Sequence, residues 1–115
     1  LIQKIRYKAN PEQFKKNSKN YHDKYPDAKR RIKLKHLYGI SLEEYNNMLK
    51  QQNYCCAICN IHRDNLTRDF DVDHCHKTLK IRGLLCNRCN KVLGIYNDDI
   101  TLLEASINYL KNYKL

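Results

Sequence analysis

The chain has 115 residues, no Trp, two Phe and a formal net charge of +10 at pH 7. That length suits one domain with an appendage, and the low mean hydropathy implies a modest core that needs a staple such as a metal. No run of about 18 apolar residues occurs, so no membrane-spanning helix is expected. Leu1 to Asn10 carries Lys4, Arg6 and Lys8 without an apolar stretch and reads as no signal peptide; a start at Leu fits a fragment or a processed chain. Residues 1–36 hold twelve Lys or Arg against three acidic groups, and residues 37–115 hold ten against nine. A basic arm on a near-neutral domain is the electrostatic footprint of a nucleic-acid binder.

The arm, residues 1–36, reads as helical. Asn10-Pro11-Glu12-Gln13 predicts a helix start, with Asn as N-cap and Pro at the first helical position, and Pro26 ends that helix near Tyr25. Phe14 and Tyr21 give it only a thin apolar stripe, so alone it is marginal in water. A second helix is predicted from Asp27 to Tyr38, with Gly39 as a left-handed cap. It places Ala28, Ile32 and Lys35 inward and Lys29, Arg30, Arg31 and Lys33 outward, as phosphate contacts. The arm is expected to be partly mobile without DNA.

A third helix starts at Ser41, with Glu44 completing a capping box. Leu42, Tyr45, Met48 and Leu49 recur at helical spacing and face the core, and the helix ends near Gln52. Cys56 to Cys59 forms a tight knuckle. Phe70 to His74 alternates as a short strand, and Lys80 to Leu85 reads as its partner across a loop of about five residues. A second knuckle, Cys86 to Cys89, runs into a short helix ending about Tyr96. A last helix starts near Asp98 or Asp99 and carries Leu102, Leu103, Ile107 and Leu110 on one side. No repeat or low-complexity segment is present.

Cys56, Cys59, Cys86 and Cys89 form two Cys-x-x-Cys pairs separated by 26 residues, the spacing of a closed tetrahedral zinc site. Three disulfides are disfavoured, because no secretory signal is seen and His and Asp lie nearby. Cys55 and Cys75 are spare thiols, which suggests a reducing, intracellular compartment, whether phage-infected cell, bacterial cytoplasm or nucleus.

A closed zinc site does no chemistry itself, so the groups between the pairs are the candidates. Asp73 offers a hard oxygen ligand for Mg²⁺, and His74 can take a proton from water at neutral pH. Adjacent strand residues face opposite ways, but at a strand end that alternation can break and bring both to one site. Asn90, early in the short helix, offers a second oxygen ligand without charge. Together they can hold one Mg²⁺ against a scissile phosphate. His22, His36 and His62 lie in basic or loop stretches and read as solvated. Arg82 is either a phosphate clamp or a strand-surface arginine, and the nine Tyr read as packing groups more than stacking platforms.

Tyr38-Gly39-Ile40-Ser41-Leu42-Glu43-Glu44-Tyr45, Cys56-Ala57-Ile58-Cys59, Val72-Asp73-His74-Cys75-His76 and Arg82-Gly83-Leu84-Leu85-Cys86-Asn87-Arg88-Cys89-Asn90 resemble the recombination endonuclease VII family of the HNH, or ββα-metal, nucleases. The resemblance runs from about Lys35 to Leu110. It implies an α+β, zinc-stabilised ββα-metal (His-Me finger) domain over residues 37–115, with flanking helices beside the basic arm. It implies hydrolysis of DNA phosphodiesters with Mg²⁺ or Mn²⁺, on branched DNA or as nicking of duplex. Asp73 then matches a catalytic metal ligand, His74 the general base, Asn90 the second metal ligand, His76 a further histidine near the phosphate, and the four paired cysteines the zinc ligands. Two positions depart from the family's pattern: Cys75 stands where Asp is common, and Leu93 where some members have Glu. The partner expected is DNA, and a homodimer is one route to cutting both strands. The competing expectation is a non-catalytic zinc module that binds nucleic acid, in which Asp73, His74 and Asn90 are incidental.

Overall fold

The computed structural model describes residues 11–24 and 26–113, leaving out the side chains of Phe14, Ser18, Asn20, Tyr21, His22 and Asp23. Among the described residues the protein is α+β, with five α-helices and one two-stranded antiparallel sheet. The chain divides into two compact units between Tyr45 and Asn46.

In the first unit, α1 spans Pro11–Lys24. Proline suits its first turn because the missing N–H has no helical partner there. The expected cap Asn10, the stripe of Phe14 and Tyr21, the solvated reading of His22 and the start of the chain lie outside the described residues. Helix α2 spans Ala28–Tyr38 and stops as predicted: Gly39 sits at φ 70°, and its N–H donates to the Lys35 carbonyl at 3.0 Å. Its facing differs from the expectation. Leu34 is the buried residue, whereas Ile32 is 65% exposed and Lys35 is also exposed. Ile32 lies about 200° around the helix from Leu34, while half-buried Arg30 and Tyr38 lie one turn to either side of Leu34 and complete its stripe. Lys29, Arg31 and Lys33 are exposed as expected.

Helix α3, Leu42–Gln51, begins with the serine half of the predicted capping box, the Glu44 carboxylate meeting the Ser41 hydroxyl. The Glu44 N–H donates to Ser41 Oγ at 3.0 Å, and the Ser41 hydroxyl donates to Glu44 Oε1 at 3.3 Å. Within the first unit its start is tied to α2, because Arg31 Nη1 donates to Glu43 Oε1 at 2.6 Å and the Arg30 guanidinium stacks 4.6 Å from the Tyr45 ring centroid. Leu42, Tyr45 and Leu49 are buried and Met48 is half-buried, in line with the helical spacing.

In the second unit, strands β1 (Asp71–His74) and β2 (Ile81–Leu85) form the hairpin. The buried pair Val72 and Leu84 are opposite each other, and Phe70 is buried just before β1. The register runs Asp73 to Gly83 and then His74 to Ile81, so Arg82 is an extra residue bulged out of β2. Helix α4 (Asn87–Ile95) packs against both strands. Helix α5 (Ile100–Asn112) is capped by Asp99, whose Oδ1 accepts from the Leu102 N–H at 3.1 Å. The Ser106 hydroxyl, which bonds Tyr96 Oη at 3.1 Å, ties α5 back to the end of α4. Of the predicted α5 stripe only Leu103 is half-buried, while Leu102, Ile107 and Leu110 are 49%, 51% and 70% exposed.

One side chain does the work of a missing strand. Gln52 Nε2 donates to the carbonyls of Cys55 and Leu84, both at 2.9 Å, and Gln52 Oε1 accepts from the Leu84 N–H at 2.9 Å. The amide therefore pairs with a backbone edge of β2 that would otherwise be open. The first knuckle docks beside it, with the Ala57 N–H donating to the Leu84 carbonyl at 3.2 Å.

Candidate active site

Two centres lie around the first knuckle, the hairpin and α4. The first is sulfur-rich. The Sγ atoms of Cys56, Cys59, Cys86 and Cys89 lie within 4.8 Å of one another, and those of Cys59 and Cys86 are 3.7 Å apart. Zinc–sulfur bonds of tetrahedral geometry put ligand sulfurs about 3.8 Å apart, so the four thiols fit that ion. Cys56 precedes the turn that Asn60 closes at φ 64°, and Cys86 is the N-cap of α4, so each pair sits on a rigid corner.

The electrostatics of the cluster point the same way. Burial pushes the Cys56 thiol up, but the N–H groups of Cys86, Cys59 and Ile58 outweigh it and bring the group well below the usual thiol range. Cys89 moves the opposite way, raised by burial and by hydrogen bonds that its S–H donates to the sulfurs of its three neighbours. Four crowded thiols cannot all ionise unaided, and a divalent cation removes that repulsion. Cys55 and Cys75 stand outside the cluster, as expected. Cys55 Sγ donates to the Asn53 carbonyl at 3.3 Å. Cys75 begins the hairpin loop, where the Thr78 hydroxyl and the Thr78 and Lys77 N–H groups bring its thiol down to about 7.

The second centre carries the oxygen and nitrogen groups. Asp71 and Asp73 are two apart on β1 and share a face. Asp73 is 8% exposed. Its Oδ2 accepts from Arg82 Nε at 2.8 Å and its Oδ1 from Arg82 Nη2 at 2.9 Å, a two-point fork. Arg82 also reaches Asp98 Oδ1 at 3.2 Å. The two carboxylates, Asp73 first, hold the guanidinium above the usual arginine range. Asn90 Nδ2 donates to Asp71 Oδ2 at 3.3 Å, and Arg68 Nη2 donates to Asp71 Oδ1 at 2.6 Å. Asn90 therefore lies against the β1 face that bears both aspartates. The rings of His74 and His76 meet edge to face with centroids 5.0 Å apart.

The β2 bulge explains how neighbours on a short hairpin converge. One extra residue twists the pairing locally and re-aims side chains, which places the Arg82 fork on Asp73. Two carboxylates (Asp73, Asp98) then share one guanidinium (Arg82), while Asp71 is neutralised by Arg68, and the acidic surplus around Arg82 suits a cation. Each Asp73 oxygen accepts one bond and has lone-pair capacity left. The Asn90 carbonyl is the end of its amide turned away from Asp71. These donors fit a hard divalent ion.

A family model for recombination endonuclease VII matches residues 31–112. The chain belongs to the recombination endonuclease VII family. It is also similar to the Gene 59 protein of Mycobacterium phage D29, 43% identical over 75 residues, which is 64% of this chain and 45% of that protein. The Gene 59 protein of Mycobacterium phage L5 is 41% identical over 76 residues, 65% of this chain and 46% of that protein. The matched segment thus spans under half the length of either relative. No solved structure matches the chain.

Within this endonuclease VII family domain the other predicted residues are placed as follows. Arg82 is tied to Asp73 and Asp98. His36 is exposed, while His62 is half-buried and structural, its Nδ1 accepting from the Asp64 N–H at 3.1 Å. Sequence reasoning missed Asp71, Asp98 and Arg68. The alternation Asp71-Val72-Asp73 carried the signal for the first, since period two places both carboxylates on one face. Asp98 is delivered by a turn in which Asn97 and Asp98 both adopt positive φ, which no local pattern announced. Among the described residues no helix is long and apolar enough to cross a membrane.

Proposed function

We propose that the chain is a Mg²⁺- or Mn²⁺-dependent DNA endonuclease of the HNH type, built on a ββα-metal fold that zinc holds together. The observation that carries this reading is the meeting of α4 with β1: Asn90 is fixed against the strand face that presents Asp73, with His74 next in sequence. Membership of a nuclease family supports the same assignment.

Asp73 and Asn90 are the oxygen donors for one hard cation, which when bound neutralises charge on the scissile phosphate and on the leaving oxygen. His74 takes the proton of a water, whose oxygen attacks phosphorus in line. The P–O3′ bond breaks, leaving a 5′ phosphate and a 3′ oxygen that is protonated by solvent. His76, in edge contact with His74, restricts that ring and faces the same phosphate. The exposed Lys29 and Lys33 of the basic arm, residues 1–36, add sequence-independent grip on DNA, whether branched or nicked duplex.

A second reading has an observation in its favour. Arg82 already satisfies Asp73 from two points, which lowers the demand for a cation there and suits a zinc-stabilised module that binds nucleic acid without cutting it. Incubation of the zinc-loaded protein with plasmid, linear and branched DNA, in Mg²⁺ or Mn²⁺ against EDTA, separates the two. Nicking that needs the divalent ion is the expected result. His74→Ala should lower that rate about 10²–10⁴-fold with zinc content and melting unchanged; an unaltered rate removes His74 from the chemistry.

A further inference from the structure

Asn90 is useful to a cation only through its carbonyl oxygen, because an amide NH₂ group repels it. An asparagine side chain is nearly symmetric in shape, so something must decide which end faces the metal. Asp71 stands in the right place to decide. A carboxylate can accept hydrogen bonds but cannot donate them. The end of Asn90 that rests 3.3 Å from Asp71 Oδ2 must therefore be Nδ2, and Oδ1 is left as the outward end. Asp71 is itself held in place, since its other oxygen takes Arg68 Nη2 at 2.6 Å, and its side chain is 18% exposed against 62% for Arg68. The chain of contacts runs from a surface guanidinium through a shielded carboxylate to the amide.

We infer that Asp71 is a positioning residue that sets the polarity of the Asn90 amide, so that Asn90 offers oxygen to the divalent ion. This rests on the nuclease reading above. It adds a residue two places before the Asp-His pair, one that never touches substrate or metal. Outer partners of metal ligands commonly change metal affinity or activity 10- to 100-fold when removed.

The substitution Asp71→Asn is the informative one. It keeps the shape and an oxygen for Arg68, yet it turns an NH₂ group toward Asn90, which draws the Asn90 carbonyl inward and away from the metal. The full chain, loaded with zinc, is titrated with Mn²⁺ and followed by electron paramagnetic resonance. Cleavage is followed in parallel against Mg²⁺ concentration. Asp71→Asn should weaken Mn²⁺ binding roughly tenfold and raise the half-saturating Mg²⁺ concentration by a similar factor. Added to Asn90→Ala, it should weaken Mn²⁺ binding no further, because its effect passes through Asn90. The exchange Asp71→Asn with Asn90→Asp restores a one-way contact, with the amide now at 71 donating to a carboxylate at 90, and should recover most of the loss.

Each of the following results overturns the inference. Asp71→Asn binds Mn²⁺ like the parent; or its loss multiplies with that of Asn90→Ala, which makes Asp71 a ligand or a fold residue in its own right; or the exchange variant is no better than Asp71→Asn alone. Unfolding of Asp71→Asn likewise assigns a structural role and overturns it. A parent protein that cuts no DNA in any divalent ion instead removes the nuclease reading, and the positioning role goes with it. A parent that cuts, beside an unaffected Asp71→Asn, removes the positioning role alone.

Discussion

Asp73 ties the proposed metal site to the fold. A carboxylate this buried needs a partner, since desolvation disfavours its charge. Arg82 provides one, and its two-point geometry restricts rotation of the carboxylate about its last torsion. In its proposed role as a ligand, a carboxylate so restricted is pre-aimed, which lowers the entropy lost when a cation binds. The neighbouring thiol has a different fate. Cys75 is half-buried and lies outside the zinc cluster, and Thr78 and the loop N–H groups stabilise its thiolate so that the group titrates near pH 7, below the usual thiol range. A thiol whose pKa is lowered is charged, and nucleophilic, above the lowered value and loses that charge as pH falls through it. In the zinc-loaded protein, iodoacetamide should therefore modify Cys75 ahead of Cys55, with a rate that rises through about pH 7 and then levels off. Peptide mapping across pH 5–9 checks this, and Thr78→Ala should move the rise to higher pH.

At the scale of elements, the second unit depends on contacts that no periodicity encodes. Gln52 closes three hydrogen bonds to backbone, two of them on Leu84, which is fully buried at 0% exposure. Gln52→Ala should cost about 2–3 kcal/mol, because a buried backbone group left without a partner costs about 1–3 kcal/mol. Urea unfolding should show an earlier midpoint at unchanged slope. Gln52→Glu should be no better, since its carboxylate accepts from the Leu84 N–H but repels the Leu84 carbonyl. This contact marks the boundary of what the sequence made readable. The serine cap at Ser41, the left-handed Gly39, the hairpin and the four clustered cysteines were legible, because each follows from a local rule about caps, positive φ, alternation or ligand spacing. The Gln52 clamp, the Arg82 bulge and the Asp71–Asn90 contact were not, because each joins positions far apart in sequence or depends on a one-residue slip between strands. The inward stripe of α2 was misread for a related reason. With only Ala28, Ile32, Leu34 and two tyrosine or leucine positions near its end, the helix has no dominant apolar face, and tertiary contacts chose Leu34 over Ile32.

For the molecule as a whole, two features separate along the chain: the four-cysteine cluster lies in the second unit, and most of the net positive charge lies in the first. The second unit has a two-stranded sheet and a last helix whose apolar residues are largely exposed, too little core to be stable alone. Stripping zinc with a chelator should unfold the Asn46–Leu115 unit, and adding zinc back should restore it, since ligand binding and folding are one equilibrium in such domains. Loss of dispersed amide NMR signals for residues 71–90 is the measurement. The charge effect is graded by pairing. Arg31 is 2.6 Å from Glu43 and Arg30 lies over Tyr45, whereas Lys29 and Lys33 are exposed and have no ion pair among the described residues. Each phosphate contact releases condensed counterions and contributes about 0.9 to the slope of log affinity against log salt. Lys29→Gln with Lys33→Gln should therefore flatten that slope by about 2 and weaken binding equally on unrelated duplexes. Arg31→Gln should change it less, because its charge is already offset by Glu43 and an exposed pair of this kind contributes little to stability. Fluorescence anisotropy on two duplexes of different sequence, from low to moderate salt, reads both quantities. Equal slopes for parent and double variant would place the DNA grip elsewhere than α2, and a loss confined to one duplex would make these lysines readers of bases.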